Sequence, residues 1–312
     1  MSVPNRDLDL PARHQAIDRT GILFALAAYL FWGFAPIYFK LLDFSAPTEI
    51  VAHRVVWSVL VLAVLIVVRR QLATLRELNR KQIGWLAVSG ALVSVNWLVF
   101  IWALLNGRML ETSLGYFINP LVTVLLGGLF LGEWLRPVQQ LAVVLAALGV
   151  VNEIVAVGVL PWAGLTLAFS FGLYGLVRKR LAVDSAVGLG VETLLMLPIA
   201  AAYLIWGGWM GEGALARGDA RQLLLLAAGG LVTVFPLVCF AAAALRLSLS
   251  TLGFIQYLAP SITFLLAIFV YDEPIRASQF LTFGCIWLAL LLFSTESMVY
   301  QRRLATRGVL GG

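Results

Sequence analysis

The sequence predicts an all-α integral membrane protein whose ten transmembrane helices form two inverted five-helix repeats. Three observations predict this fold. The 312-residue chain is 61% hydrophobic and only 12% charged, ten apolar runs have the length of a membrane span, and the second half of the chain repeats the first. Soluble domains carry about twice this charged fraction, so lipid must cover most of the surface.

Each predicted helix is an apolar run of about 20 residues, the length that a helix needs to cross a hydrocarbon core about 30 Å thick. That core offers no water to the backbone, so a helix is the structure in which such a run satisfies its own peptide groups. Short connectors between several runs make neighbouring helices antiparallel. The ten runs cover residues 20–39, 48–68, 83–105, 110–131, 138–156, 160–177, 187–207, 222–245, 248–270 and 277–295.

The basic residues predict the orientation of these helices. With the N-terminus in the cytoplasm, sixteen of the 22 Lys and Arg residues fall on the cytoplasmic side, five fall outside, and Arg54 falls within a span. The positive-inside rule therefore places both termini in the cytoplasm. The net charge of +6 then reflects orientation, and we expect no nucleic-acid partner. Residues 1–19 lack the pattern of a cleaved signal peptide.

A shift of 140 residues superposes the fourth predicted helix on the ninth. Each half then holds five spans, and because five is odd the second half must cross the membrane in the opposite sense. The predicted halves are residues 20–157 and 158–296, with tails at 1–19 and 297–312. Inverted halves that exchange unequal conformations around a central site are typical of secondary transporters, although duplication could also serve only to build a stable bundle. The superposed pairs are Pro120 and Pro260, Thr123 and Thr263, Glu133 and Glu273, Arg136 and Arg276, and Gln139 and Gln279.

Five short stretches resemble the drug/metabolite transporter superfamily with its EamA repeats, and within it the RarD-like permeases. They are AYLFWGF at 28–34, EIVAHR at 49–54, LGYFINP at 114–120, SFGLYG at 170–175 and GFIQY at 253–257. Each is a weak apolar motif, but their order and spacing make the resemblance specific across most of residues 20–295. The resemblance implies ten helices, a central cavity between the halves, and a bacterial cytoplasmic (inner) membrane.

Polar and aromatic side chains within the spans are the candidates for a substrate cavity, because hydrocarbon penalises polar groups that face neither a cavity nor another helix. Interhelical hydrogen bonding and an interfacial aromatic belt are the alternatives for these residues. Pro120 and Pro260 lie at mid-span, where each removes a backbone hydrogen bond, and we expect both to act as helix hinges. The candidates are Tyr29, Trp32, Asn96, Trp97, Asn106, Tyr116, Asn119, Tyr174, Gln256 and Tyr257.

A charge within a membrane span is expensive, and the conspicuous ionisable residues within the predicted spans are Glu49, His53, Arg54 and Glu192. Glu49 and His53 are four residues apart and share a helix face, so one interpretation is proton coupling. The alternatives are a static polar clamp between helices and direct contact with substrate. Gly128 and Gly132 form a Gly-x-x-x-Gly pair, which favours close packing of their helix against another or, less favoured, dimerisation.

The sequence therefore predicts a permease or exporter that moves a small metabolite, an amino-acid-like or an amphipathic drug-like solute by alternating access. A passive facilitator or channel of the same fold is the main alternative, and a non-transporting sensor is another. An enzyme is disfavoured because no nucleophile with its base, metal-ligand cluster or phosphate-binding loop is visible, so we expect neither cofactor nor metal. The expected partners are a solute and membrane lipid, with protons or a counter-solute as candidate coupling partners, and a monomer or dimer is compatible with the sequence.

Overall fold

The computed structural model describes residues 18–106, 109–158, 162–217, 219–270 and 277–310, and this part of the chain contains helices and no strand. The long helices of the first half are α1, α2, α4, α5 and α6, and those of the second half are α7, α8, α10, the pair α11 and α12, and α13. The bounds are α1 Arg19–Phe39, α2 Pro47–Val68, α3 Leu72–Arg76, α4 Arg80–Leu105, α5 Met109–Leu131, α6 Pro137–Val157, α7 Trp162–Leu181, α8 Ser185–Trp209, α9 Gly213–Arg217, α10 Ala220–Arg246, α11 Leu249–Gln256, α12 Leu258–Phe269 and α13 Ala277–Leu310.

The predicted helical membrane fold is confirmed. Within the described residues, eight segments are long and apolar enough to cross a membrane, with α11 and α12 counted as one. The two further long helices are α5, of which Gly115–Leu131 forms a shorter apolar segment, and α7, which ends in three consecutive basic residues. Large apolar side chains are exposed around the bundle, among them Ile199 at 78% and Leu224 at 73%, as expected of a surface covered by lipid.

Polar residues just before several helices replace the backbone hydrogen bonds that the first turn lacks. The carboxylates of Asp18, Asp184 and Asp219 each accept two backbone N–H groups, at the starts of α1, α8 and α10. Asn79 and Gln82 form a reciprocal capping box at the start of α4. The apolar runs therefore become helices with defined ends at polar residues.

The ninth predicted span is two helices that meet at Tyr257. Pro260 has no N–H, so the carbonyl of Gln256 loses its usual donor four residues ahead. The chain breaks one residue later, where the Tyr257 N–H bonds to the Phe254 carbonyl at 3.2 Å. Pro120, its counterpart in the repeat, lies inside α5, which continues through it as a single helix. The two prolines thus have different consequences in this structure.

The two halves pack against each other in pairs of equivalent contacts. The contact of α5 with α7 is matched by that of α12 with α1, and the contact of α4 with α7 by that of α10 with α1. Likewise the contact of α2 with α10 is matched by that of α8 with α4. Three further contacts join a helix to its own repeat equivalent: α2 with α8, α6 with α13, and α5 with α11. This pattern is that of a pseudo-two-fold axis between inverted repeats, and it places α1, α5, α7 and α12 around the centre.

The prediction that Gly128 and Gly132 pack closely against another helix of this chain is wrong among the described residues, and dimerisation through them stays a prediction. A Cβ added to Gly128 would meet nothing within 4 Å among the described residues, and Gly132 follows the end of α5 with a φ of +64°. Gly132 therefore ends the helix in a conformation that glycine adopts easily. The close helix contacts are made by glycines outside that motif. One is Gly115, whose added Cβ would be 2.7 Å from the carbonyl oxygen of Gly164 on α7.

Candidate functional site

A cavity of about 140 Å³ lies between α1, α2, α4, α5, α7 and the junction of α11 and α12. This is room for roughly ten water molecules, so the cavity can hold a solute of modest size. Its walls are mainly aromatic and aliphatic, with a few amide and hydroxyl groups, the usual composition of a small-molecule site. Lining residues that were not among the predicted cavity candidates include Phe39, Phe100, Phe171 and Thr263.

The structure brings most of the predicted cavity residues together. Seven of the ten candidates line the cavity, and they come from α1, α4, α5 and α11. The Asn96 amide is partly engaged, since it donates to the Leu167 carbonyl and the Ser170 hydroxyl, both at 2.9 Å. The cavity is also lined by Arg54 and Pro260. The seven are Tyr29, Trp32, Asn96, Trp97, Tyr116, Asn119 and Gln256.

Three cavity candidates and one proline lie elsewhere. Asn106 is exposed at the end of α4 and donates to the Trp102 carbonyl at 2.8 Å. Tyr174 is fully buried with its hydroxyl 3.5 Å from Glu192, and the Tyr257 hydroxyl donates to the Phe117 carbonyl at 3.2 Å. Pro120 is buried at the contact of α5 with α11, near Gly253. None of these four residues lines the cavity. Tyr174, Tyr257 and Pro120 lie at contacts between helices, and Asn106 lies at the end of α4.

The cavity occupies one half of the bundle depth. Its residues come from the later parts of α1 and α4 and the earlier parts of α2, α5 and α7. Because consecutive long helices are antiparallel, all of these parts lie toward the face that carries the connection of α1 to α2. Aromatic rings lie on the other side of the cavity, where Phe240 contacts Phe171 at 4.8 Å and Tyr174 at 5.8 Å between ring centroids.

Ion pairs join helix ends at the opposite face, where α1 begins. Lys179 of α7 lies 3.2 Å from Glu133, which also accepts the Ser250 backbone N–H at the start of α11. Arg246, at the end of α10, lies 3.7 Å from Asp18. These contacts tie first-half segments to second-half segments, so the bundle is closed at the N-terminal face by aromatic packing and by charge pairs.

Arg54 projects into the cavity wall from the second turn of α2. Its side chain is only 6% exposed, and its Nε donates to the Thr233 hydroxyl of α10 at 2.8 Å. The guanidinium carbon lies 4.4 Å from the ring centroid of Trp97 and 5.3 Å from that of Phe39. These are cation–π distances, and they hold the planar group in a fixed orientation.

The four predicted intramembrane charges do not meet at one place. Glu49 accepts the Ser45 hydroxyl at 2.8 Å and the Ala214 backbone N–H at 2.5 Å, beside the short helix α9. His53 is 3% exposed and its Nδ1 accepts the indole N–H of Trp57 at 3.3 Å. Glu192 lies elsewhere, so a single clamp formed by all four residues is not present.

Glu192 is paired with Arg178, a residue that the sequence analysis counted among the cytoplasmic loop charges. Arg178 is 1% exposed and its Nη1 lies 3.3 Å from the fully buried Glu192 carboxylate, which also accepts the Ser89 hydroxyl. The difference arises because α7 continues to Leu181, beyond the predicted end at 177. A lone carboxylate in an apolar helix requires a partner, and of the three basic residues at the end of α7 it is Arg178 that pairs with Glu192.

Known proteins match the chain over nearly all of its length. The family model described as the EamA-like transporter family matches twice, at residues 19–152 and 160–295. Protein RarD of Escherichia coli (strain K12) is 48% identical over 287 residues, covering 91% of this chain and 97% of the relative. The uncharacterized transporter YojE of Bacillus subtilis (strain 168) is 43% identical over 92% of this chain and 97% of its own length.

Two further matches are more distant. The chloramphenicol-sensitive protein RarD of Pseudomonas aeruginosa is 36% identical over 94% of this chain and 99% of its own length. A solved crystal structure with 19% identity superposes with a TM-score of 0.69 over 89% of this chain and 98% of that one, which shows a shared fold. The chain therefore belongs to the EamA-like transporter family, as a RarD-like multi-pass bacterial membrane transporter and not an enzyme.

Proposed function

We propose that this protein is a secondary transporter that moves a small, partly apolar metabolite or drug-like solute across the cytoplasmic membrane by alternating access. The observation that carries the proposal is a central cavity between two pseudo-symmetric halves that lies toward one face of the bundle. Exchange of the two halves' conformations would close this side and open the other. Amino acids, their derivatives and aromatic metabolites suit the cavity's size and aromatic walls, and the name of one relative adds chloramphenicol as a candidate drug.

The orientation in the membrane follows from the charges. With both termini in the cytoplasm, as the positive-inside rule favours, the ion pair of Glu133 and Lys179 lies on the cytoplasmic side. The cavity then faces outward, and the aromatic packing around Phe240 separates it from the cytoplasm. This is the arrangement of an outward-facing state. A facilitator would need only occasional opening of the same barrier, without coupling to an ion.

Transport is tested first in cells and then in vesicles. Cells that overexpress the protein and cells that lack it are compared for released metabolites, and each hit is then measured for uptake into vesicles containing purified protein. We expect uphill transport that collapses when a proton ionophore is added. Only downhill flux would favour a facilitator, and tight binding without any flux would contradict transport and favour a sensor.

Substitution of Pro120 and Pro260 tests whether these residues act as helix hinges during transport. Pro260→Ala restores an N–H that can bond to the Gln256 carbonyl, so α11 and α12 should join into a straighter helix. We expect uptake into vesicles to slow several-fold while solute binding is retained. Pro120→Ala should have a smaller effect, because α5 already continues through that position. Unchanged rates in both variants would remove the hinge role.

A further inference from the structure

Among the described residues, the buried guanidinium of Arg54 has no counter-ion. Among the described residues, no carboxylate lies within 4 Å of it, and its Nε is the one guanidinium nitrogen that donates to another side chain. The two terminal amino groups are therefore left without a protein acceptor in the part of the chain that the structure describes. A charge buried within a membrane-spanning helix is costly unless something pairs with it.

The three acids that are buried among the described residues have other partners. Glu49 accepts hydrogen bonds from Ser45 and from the backbone beside α9, and Glu192 is paired with Arg178. Glu153, the other acid buried within a long helix, accepts the Thr282 hydroxyl of α13 at 3.2 Å. The charge of Arg54 is consequently available to something that enters the cavity.

The rest of the cavity matches an organic acid. Among the described residues, the lining contains one charged side chain, Arg54, so the site favours a single negative charge over a dianion. Guanidinium groups bind carboxylates through two parallel hydrogen bonds, and the aromatic faces of Trp97 and Phe39 fix the guanidinium plane. Gln256, which is 6% exposed, presents a buried Oε1 without a hydrogen-bond partner, an acceptor for an O–H or N–H on the same solute.

We propose that Arg54 is the anion-binding residue of the central cavity and that the solute is a small monocarboxylate with an apolar or aromatic body. This inference deepens the proposed function and rests on it for the statement that the bound acid is also transported. Binding itself does not depend on transport. Thr233 acts here as a positioning residue, because its hydroxyl holds the Nε side of the guanidinium and leaves the terminal amino groups for the ligand.

The test compares acids with their uncharged amides. The purified full-length protein in detergent is titrated with acetate, phenylacetate and 3-phenylpropanoate, and with the matching amides, while its thermal unfolding and tryptophan fluorescence are followed. Hydrogen bonds to a charged group predict that at least one aromatic acid binds roughly 10- to 100-fold more tightly than its amide. Equal binding of acid and amide to the natural protein, or binding of neither, would overturn the proposal. The proposal would also be overturned if inorganic phosphate raised the unfolding temperature and none of the carboxylates did.

Variants assign the effect to Arg54. Arg54→Gln should lose the preference for the acid, and Arg54→Lys should keep a weaker preference because it retains the charge and loses the planar fork. Arg69→Gln is the matched control, since Arg69 is exposed at the end of the same helix, and it should keep the full preference. If Arg54→Gln only lowers the unfolding temperature without changing the preference, the residue is structural. If vesicles take up only uncharged solutes, the protein is a transporter but the acid-binding proposal is overturned. If the protein binds acids but no flux is measured, the acid-binding proposal is supported and the transport proposal is overturned.

Discussion

Arg178→Met should lower the unfolding temperature of this protein by an amount on the order of 10 °C. Arg178 is the buried partner of Glu192, and its Nη2 also donates to the carbonyls of Asp184 and Ser185 at 3.3 and 3.2 Å. Methionine fills similar space without a charge. The Glu192 carboxylate would then remain buried with only hydroxyl donors, and an uncompensated buried charge of this kind costs about 3–5 kcal/mol.

The measurement is the fraction of monodisperse protein left after heating in detergent. Arg180→Met is the matched control on the same helix, because Arg180 is exposed and its loss should change the unfolding temperature little. The double variant Arg178→Met with Glu192→Gln removes both charges and should recover a large part of the loss. A double variant that is less stable than Arg178→Met alone would contradict the assignment of the effect to an unpaired carboxylate.

This pair also shows which part of the site is predictable from sequence. A charged residue within an apolar run is conspicuous, so Glu192 and Arg54 stand out in the amino-acid sequence itself. Their partners do not stand out. Arg178 follows an apolar run and has the pattern of a loop charge that sets orientation, and only the extension of α7 to Leu181 brings it into the protein interior.

Cavity membership depends on helix rotation and depth, which hydropathy does not determine. The apolar runs reveal that α4 and α7 exist, yet Asn96 reaches the cavity and Asn106, almost three turns later on the same helix, is exposed at its end. Tyr174 lies one turn beyond Phe171 on α7, too far toward the N-terminal face to line the cavity. The helical membrane fold and the repeat were therefore predictable, whereas the cavity membership of several individual side chains was not.

The glycines at close helix contacts are also not predictable from their spacing in the sequence. A Gly-x-x-x-Gly spacing favours close helix packing in membranes, but the spacing leaves open which face of the helix meets a neighbour. Gly128 fits the motif and faces open space among the described residues, whereas Gly230 of α10 lies directly against α2. A Cβ on Gly230 would be 2.6 Å from the backbone carbonyl carbon of Trp57 and 2.8 Å from its oxygen.

Gly230→Ala should therefore destabilise the protein and Gly128→Ala should not. Backbone atoms of Trp57 cannot rotate away, so one added methyl must push α2 and α10 apart, and overpacking of this kind costs about 1–3 kcal/mol. At Gly128 the methyl meets no clash, and alanine is the better helix former by about 0.5–1 kcal/mol. The two variants make the same chemical change in long helices, and thermal unfolding in detergent compares them directly. Equal effects of the two variants would mean that helix propensity decides the outcome, and not the close approach of α2 to α10. A lower unfolding temperature for Gly230→Ala alone assigns the close packing to this contact between the two halves.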